Sequence, residues 1–242
     1  MQTVVFKMLF FVSVTAQFGK HVYVQRNYTW PDAQKYCRDH YTDLSPITTR
    51  RDEKRLKELS GKVGTFWIGL YRDGTQWMWS GGGLATYKRW DDDEPDDTEN
   101  QIYGCVCWEG CGWNGWHNYP NWRLGTFFCF NLIVVELKMT WDEAIWHCKT
   151  ENTSLTSLAS ETEHLLAVSE IQEDHVTERV WIGLRYLGDR WLWVDGDPLV
   201  YEAWSQGDQD HQCPLWRRCG ALTKGGLWES RDCEEKLHFI CY

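Results

Sequence analysis

The sequence contains no apolar stretch near twenty residues, and its basic side chains are fewer than its acidic ones. The first absence predicts a chain without a membrane span. With 25 Lys and Arg against 35 Asp and Glu, the net charge is −10. An acidic surface repels phosphate backbones, so we expect no nucleic-acid partner. Catalytic signatures are also missing, since there is no Gly-x-Ser-x-Gly, His-Glu-x-x-His or phosphate-binding glycine loop. We therefore predict that the chain is not an enzyme.

Cysteine and tryptophan, by contrast, are abundant, with 10 and 17 residues among 242. The composition, 43% hydrophobic and 25% charged, is typical of globular proteins and excludes disorder and coiled coil. This length allows one large domain or two small ones. Ten dispersed cysteines predict disulfides and hence an oxidising, extracellular setting.

The first residues have the pattern of a secretory signal peptide. Met8 to Val14 is a short apolar run, and Val14 and Ala16 suit the −3 and −1 positions of a cleavage site. We therefore assign residues 1–16 to a signal peptide and expect a secreted protein. The alternative is a buried first strand or a truncated start.

The sequence repeats once, at an offset of 111 to 114 residues. The matching landmarks, in chain order, are Thr29-Trp30 with Thr140-Trp141, Cys37 with Cys148, Trp67-Ile68-Gly69-Leu70 with Trp181-Ile182-Gly183-Leu184, Trp77 and Trp79 with Trp191 and Trp193, Trp90 with Trp204, and Cys129 with Cys241. Six landmarks in one order predict two copies of one domain, residues 19–130 and residues 131–242.

Each copy opens with helix signals and continues with strand signals. Thr29, Thr140, Thr49 and Ser160 each have an acidic residue three positions later, which is typical of a helix N-terminus. The later half of each copy holds Trp-rich and Gly-rich short apolar runs between turn residues. Two helices followed by strands and long loops predict an α+β fold class. The tryptophans of the repeated strands are expected to fill the core.

The cysteines divide five and five between the copies. Their repeat positions predict the bridges Cys37 to Cys129 and Cys148 to Cys241, each worth about 4 kcal/mol for so long a loop. Cys219 and Cys233 are expected to form a further pair. The pairing of Cys105, Cys107, Cys111 and Cys213 stays open, and it includes a bridge between the domains.

These residues together resemble the C-type lectin-like domain, in two tandem copies covering residues 21–242. The helix-borne Cys, the Trp-Ile-Gly-Leu strand, the Trp-x-Trp strand and the closing Cys carry the resemblance. It implies paired terminal strands, two flanking helices and a long loop region. In family members with that activity, the loop region binds Ca²⁺ and sugar.

The loop of the first copy contains seven carboxylates in nine residues: Asp91, Asp92, Asp93, Glu94, Asp96, Asp97 and Glu99. Ca²⁺ takes six to eight oxygen ligands, which such loops supply. Glu94-Pro95-Asp96 is similar to the family's sugar-binding triplet, in which the proline is cis. The resemblance implies Glu94, Asp96, Glu99 and Asn118 as metal ligands, and Glu94, Asp96 and Asn118 as carbohydrate contacts.

Two departures from the family pattern weaken this expected site. Glu94 and Asp96 are both acceptors when ionised, so the pair offers no donor to a sugar hydroxyl. His117-Asn118 replaces the family's Asn-Asp pair, and imidazole is a poor ligand for Ca²⁺. The second copy has Asp208-Gln209-Asp210 without proline, and we predict no Ca²⁺-dependent site there.

The sequence therefore predicts a secreted recognition protein that binds a glycan or glycoprotein weakly through the first copy, with Ca²⁺ as cofactor. The alternative is a Ca²⁺-independent module with a protein ligand and no sugar activity. Cys105, Cys107, Cys111 and His117 could also be interpreted as a zinc site, but their spacing matches no common finger. Asn27 and Asn152 open glycosylation sequons.

Overall fold

The computed structural model describes residues 19–61, 64–96, 100–109, 115–205, 211–212, 214, 216 and 218–242. The expected signal peptide, residues 1–16, lies outside these residues. The described chain has two sheets and four helices, one sheet and two helices for each copy of the repeat. None of the helices in these residues combines the length and apolar character needed to cross a bilayer.

The first copy of the repeat is called domain 1 and the second domain 2. In domain 1, two helices precede most of the strands. Its elements are β1 (His21–Tyr28), α1 (Trp30–His40), β2 (Asp43–Leu44), α2 (Arg50–Leu59), β3 (Thr65–Asp73), β4 (Gln76–Trp79), β5 (Tyr103–Cys107), β6 (Gly115–Tyr119) and β7 (Gly125–Phe130). The sheet has the order β1-β7-β3-β5-β6, with β2 on β7 and β4 on β3. The segment between β4 and β5 forms the long loop.

Domain 2 repeats this architecture. Its elements are β8 (Ile133–Met139), α3 (Trp141–Thr150), α4 (Glu161–Glu170), β9 (Arg179–Leu187), β10 (Arg190–Trp193), β11 (Cys219–Thr223), β12 (Trp228–Arg231) and β13 (Leu237–Cys241). The sheet has the order β12-β11-β9-β13-β8, with β10 on β9. In both domains the first and last strands pair antiparallel, as the resemblance implies. Each otherwise antiparallel sheet also contains one parallel pair, β3 with β7 and β9 with β13.

The four helices begin where the sequence predicts. The hydroxyls of Thr29, Thr49, Thr140 and Ser160 each accept a hydrogen bond from the backbone N–H three residues later. These caps satisfy N–H groups that a first turn leaves without partners. These helices, together with the two sheets, confirm the predicted α+β fold class.

The repeated tryptophans pack into the core and bind the backbone at equivalent places. Trp30 Nε1 donates to the Ile68 carbonyl at 2.7 Å, and Trp141 Nε1 donates to the Ile182 carbonyl at 2.9 Å. The repeated strand tryptophans Trp67, Trp77, Trp79, Trp181, Trp191 and Trp193 are all buried. A buried indole needs an acceptor for its N–H, so these bonds tie the first helix of each domain to its central strand.

Three disulfides join pairs of described cysteines: Cys37 to Cys129, Cys148 to Cys241, and Cys219 to Cys233. Cys107 is also disulfide-bonded, and its pairing lies outside the described residues. Cys105 is a buried free thiol. The zinc interpretation therefore loses Cys107 as a ligand, because a disulfide sulfur carries no thiolate.

The two domains pack against each other through polar and apolar contacts. Lys20, just before β1, is buried against Ser157 and Glu163 of domain 2. Thr162 Oγ1 donates to the Gly82 carbonyl at 2.9 Å. Phe130 at the end of β7 belongs to the hydrophobic core of domain 2.

Candidate functional site

The long loop of domain 1 reaches the central sheet beside strand β6. The Asp91 N–H donates to the Trp116 carbonyl at 3.1 Å, and the Trp116 N–H donates to the Arg89 carbonyl at 2.8 Å. These bonds bring the segment from Asp91 to Asp96 alongside His117 and Asn118. The Glu94-Pro95 peptide is cis, as the resemblance implies.

His117 lies between two carboxylates of this loop. Its Nδ1 is 2.8 Å from Glu94 Oε1, and its Nε2 is 3.4 Å from Asp91 Oδ2. The imidazole is 3% exposed. An ionised carboxylate can only accept, so Nδ1 carries the hydrogen in the contact with Glu94.

Asn118 joins the same network and is almost completely buried. Its Oδ1 accepts the Asp96 N–H at 3.2 Å, and its Nδ2 donates to the carbonyls of Asp96 at 2.9 Å and Gln101 at 2.8 Å. Both amide hydrogens are therefore used inside the protein. In this arrangement the amide offers no donor to a sugar hydroxyl at the surface.

Further oxygens of Glu94 and Asp96 also accept hydrogen bonds from the protein. Glu94 Oε2 accepts the backbone N–H groups of Asp96 at 3.2 Å and Asn118 at 3.4 Å. Gln101 Nε2 donates to Asp96 Oδ2 at 3.1 Å. The structure thus brings together three of the four predicted ligands, Glu94, Asp96 and Asn118. The fourth, Glu99, lies outside the described residues.

Among the described residues, the oxygens of this network are not arranged as Ca²⁺ ligands. The ion requires six to eight oxygens directed at one point, whereas the Glu94 carboxylate is directed at an imidazole and two backbone N–H groups. Within the described residues, no group of three or more His, Cys, Asp or Glu side chains could hold a metal ion. Asp91 and Gln101 are members of the network that sequence reasoning did not select.

The equivalent surface of domain 2 has a different chemistry. Glu229, the counterpart of His117, forms ion pairs with Arg179 and Arg231. Ser230, the counterpart of Asn118, is buried. The predicted triplet Asp208-Gln209-Asp210 lies outside the described residues, so the predicted absence of a site there stays a prediction.

Of the tryptophans in loop sequence, Trp108 is buried and Trp122 is 74% exposed. Trp113 lies outside the described residues. The exposed indole of Trp122 follows strand β6, and the neighbouring Arg123 guanidinium stacks on the Tyr119 ring at 3.8 Å. This end of domain 1 therefore presents both apolar and charged groups to solvent.

The sequence of this chain matches a known protein family and is similar to several known proteins. The family model for the lectin C-type domain matches twice, at residues 26–130 and 137–242. Human lymphocyte antigen 75 is 25% identical over 93% of this chain, and the bovine secretory phospholipase A2 receptor is 24% identical over 94%. The chain spans 15% and 18% of those two proteins. The structure of human lithostathine, 28% identical, aligns with 46% of this chain and 88% of its own at a TM-score of 0.42. Because the family model covers most of the sequence in two consecutive matches, the chain belongs to the C-type lectin domain family.

Proposed function

We propose that this chain is an extracellular, non-catalytic recognition protein that binds a protein or glycoprotein ligand through the long-loop face of domain 1, without bound Ca²⁺. The observation that carries the proposal is the contact of His117 with Glu94 and Asp91. The disulfides support an oxidising compartment. Asn27 and Asn152 are both exposed, which suits glycosylation of a secreted chain.

The contact of His117 with Glu94 and Asp91 offsets the repulsion between the loop carboxylates, as a bound cation would. Carboxylates held close together repel one another unless a donor or cation lies between them. The imidazole supplies that partner from inside the protein, and it is a nitrogen group that Ca²⁺ does not prefer. A Ca²⁺ ion would have to displace this hydrogen bond before it could reach Glu94.

The second candidate is weak Ca²⁺-dependent carbohydrate binding at the same place, through Glu94, Asp96, Glu99 and Asn118. The convergence of Glu94, Asp96 and Asn118 on one backbone segment favours it. The two candidates differ in their need for metal, and a chelator separates them.

Calcium-dependent stability is the direct test. We expect no rise in the melting temperature of the chain up to about 10 mM Ca²⁺, a concentration that would stabilise a site of ~1 mM affinity by about 1.4 kcal/mol. His117→Asp replaces the imidazole by an oxygen donor, and we expect it to create Ca²⁺-dependent stabilisation. His175→Asp is the matched control, because His175 also contacts a carboxylate, Glu136, at 3.0 Å, but at an exposed position.

Stabilisation of the unmodified chain by Ca²⁺, abolished by Glu94→Gln, would overturn the metal-free proposal in favour of the second candidate. Binding to glycan and glycoprotein arrays, measured with Ca²⁺ and with chelator, then identifies the ligand class. The metal-free proposal requires the same bound ligands under both conditions.

A further inference from the structure

The imidazole of His164 lies where helix α4, strand β12 and the long loop of domain 2 meet. This long loop is the segment between β10 and β11, residues 194–218. His164 is 5% exposed. Its ring centroid is 5.5 Å from that of Tyr201 in the long loop and 6.2 Å from that of Trp228 in β12. The ligand contacts proposed for domain 1 do not involve this buried, titratable side chain.

The hydrogen bonds of His164 require its neutral form. Trp228 Nε1 is 3.2 Å from His164 Nδ1, and because an indole nitrogen can only donate, Nδ1 accepts. The hydrogen of the neutral ring is therefore on Nε2, which lies beside Gly226 and has the backbone of that residue as its partner. A second proton, on Nδ1, would place two donors face to face and break the hydrogen bond to Trp228.

The surroundings of the ring offer little compensation for a positive charge. Within the described residues no carboxylate forms an ion pair with His164, and burial lowers the pKa of its imidazole. Tyr201 is a neutral phenol, because burial and the nearby Glu161 raise its pKa. On α4 itself, Glu161 is exposed, and Glu163 is paired with Lys20 instead.

Trp228 in turn holds part of the long loop in place. Its N–H donates to the Ala203 carbonyl at 2.7 Å, and its carbonyl accepts the Ser205 N–H at 3.4 Å. Its fully buried ring contacts those of Trp204 at 5.5 Å and Tyr201 at 5.8 Å between centroids. A displacement of this indole therefore acts directly on the long loop.

Domain 1 has a different group at the equivalent position. Glu53 corresponds to His164 at the repeat offset of 111. Its carboxylate accepts a hydrogen bond from the Tyr87 hydroxyl at 3.0 Å and lies 3.1 Å from Arg89 Nη1. Domain 1 thus joins this helix to its long loop by an ion pair and a tyrosine hydrogen bond, and the histidine contact is a feature of domain 2.

We propose that His164 is an acid-sensitive switch whose protonation, below about pH 6, releases Trp228 and loosens the long loop of domain 2. In the released state the imidazole is solvated and titrates near its ordinary value of ~6.5. In the folded state a proton has to break the bond to Trp228. Because the released state binds more protons, the free energy of release decreases as the pH falls through ~6.5. The loop is thus held at neutral pH and opens in acid, whatever ligand domain 1 binds.

Hydrogen–deuterium exchange of the full chain, followed by mass spectrometry, tests this switch. Peptides that cover residues 198–205 and 226–231 are compared at about pH 7.5 and about pH 5.5, after correction for the intrinsic exchange rate at each pH. A released imidazole is ~10% protonated at the higher pH and ~90% protonated at the lower one, so we expect local opening to increase up to about tenfold.

His164→Gln keeps both hydrogen bonds but cannot titrate, because its amide oxygen can accept from Trp228 and its amide nitrogen can donate to Gly226. We expect local opening of this variant to change less than about twofold between the two pH values. His238→Gln is the matched control. His238 is also buried in domain 2 and accepts the Thr177 N–H at 3.2 Å through Nδ1, but this contact joins β13 to the segment before β9. The control should keep the full response of the long loop to acid.

NMR of the histidine-labelled, unmodified chain makes the test independent of any variant. The switch requires the Nε2–H tautomer of His164 and a pKa below the ordinary value of ~6.5. It is overturned if exchange in these peptides is the same at both pH values, or if His164 titrates at or above that value. It is also overturned if His164→Gln responds to acid as strongly as the unmodified chain, or if His238→Gln loses the response equally.

Discussion

The glycine of the repeated Trp-Ile-Gly-Leu strand illustrates how a single residue position is constrained. Gly69 donates its N–H to the Ser45 carbonyl and accepts from the Ser80 N–H, and Gly183 makes the equivalent bonds with Thr156 and Val194. A Cβ atom at Gly69 would lie 2.8 Å from the Leu44 carbonyl oxygen, and one at Gly183 would lie 2.6 Å from that of Leu155. Backbone therefore approaches backbone at this point, which explains why glycine occurs in both copies.

Substitution of this glycine should destabilise its domain. We expect Gly183→Ala to lower the free energy of unfolding by about 1–3 kcal/mol, because the new methyl group overpacks against backbone that cannot move aside. Gly225→Ala is the control, since its Cβ would meet only Thr223 Oγ1 at 3.7 Å. Urea unfolding compares the two variants, and equal stability would contradict the role assigned to the close approach.

The N-terminus of helix α2 is stabilised by one buried carboxylate, that of Asp52. Asp52 Oδ2 accepts the backbone N–H groups of Thr48 at 3.1 Å and Thr49 at 2.9 Å, and Oδ1 lies 3.9 Å from His21 Nε2. Burial alone would raise the pKa of Asp52, but the nearby imidazole of His21, with the charge of Lys20 and the hydrogen bond from the Thr49 hydroxyl, lowers it below its ordinary value. The ionised form is therefore the one that stabilises the folded chain.

This lowered pKa predicts a dependence of stability on acid. A carboxyl with a depressed pKa in the folded state contributes stability above its unfolded pKa of ~3.9 and loses it as the pH falls further. Asp52→Asn should therefore lower the free energy of unfolding at pH 7, and the difference from the unmodified chain should shrink below about pH 4. Unfolding in urea at several pH values measures this, and a constant difference would argue against the ionised cap.

For the whole molecule, one of the residues that join the domains, Lys20, lies outside the segments that the family model matches. Lys20 precedes the first matched residue, 26, and is 2% exposed. Its Nζ lies 2.9 Å from Glu163 Oε2 and 3.9 Å from Asp197 Oδ2, both in domain 2. Burial alone would lower the pKa of Lys20, but Glu163 and Asp195 raise it, so the ammonium group remains charged.

Removing this cation should weaken the whole chain. Lys20→Met leaves the Glu163 carboxylate buried without its partner, and loss of one member of a buried pair costs about 3–5 kcal/mol. Calorimetry should show a clearly lower melting temperature, with partial recovery when Glu163→Gln is added. Lys35→Met, which removes a cation from an exposed pair, should leave the transition in place. An equal change in melting temperature for the two lysine variants would show that the buried Lys20 contact contributes no more than an exposed ion pair.

The sequence by itself determined the repeat, the fold class, the helix starts and the buried tryptophans. Each of these follows from local rules, such as the cap hydroxyls of Thr29 and Thr140, or from a pattern repeated in two copies. These features need only near neighbours in the chain or a comparison of one half with the other. The convergence of Glu94 and Asp96 near Asn118 was expected on a different ground, the resemblance to the C-type lectin-like domain.

Only the tertiary structure decided which partner each polar group takes. The sequence does not reveal that His117 hydrogen-bonds to Glu94 or that Gln101 hydrogen-bonds to Asp96. It also does not reveal that Asp91 lies beside His117. Arg51 and Arg55 are visible as part of a basic run, but their ion pairs with Asp197 depend on where domain 2 lies. Contacts between residues distant in the chain are set by packing, and packing directs the same charges either to a buried partner or to solvent.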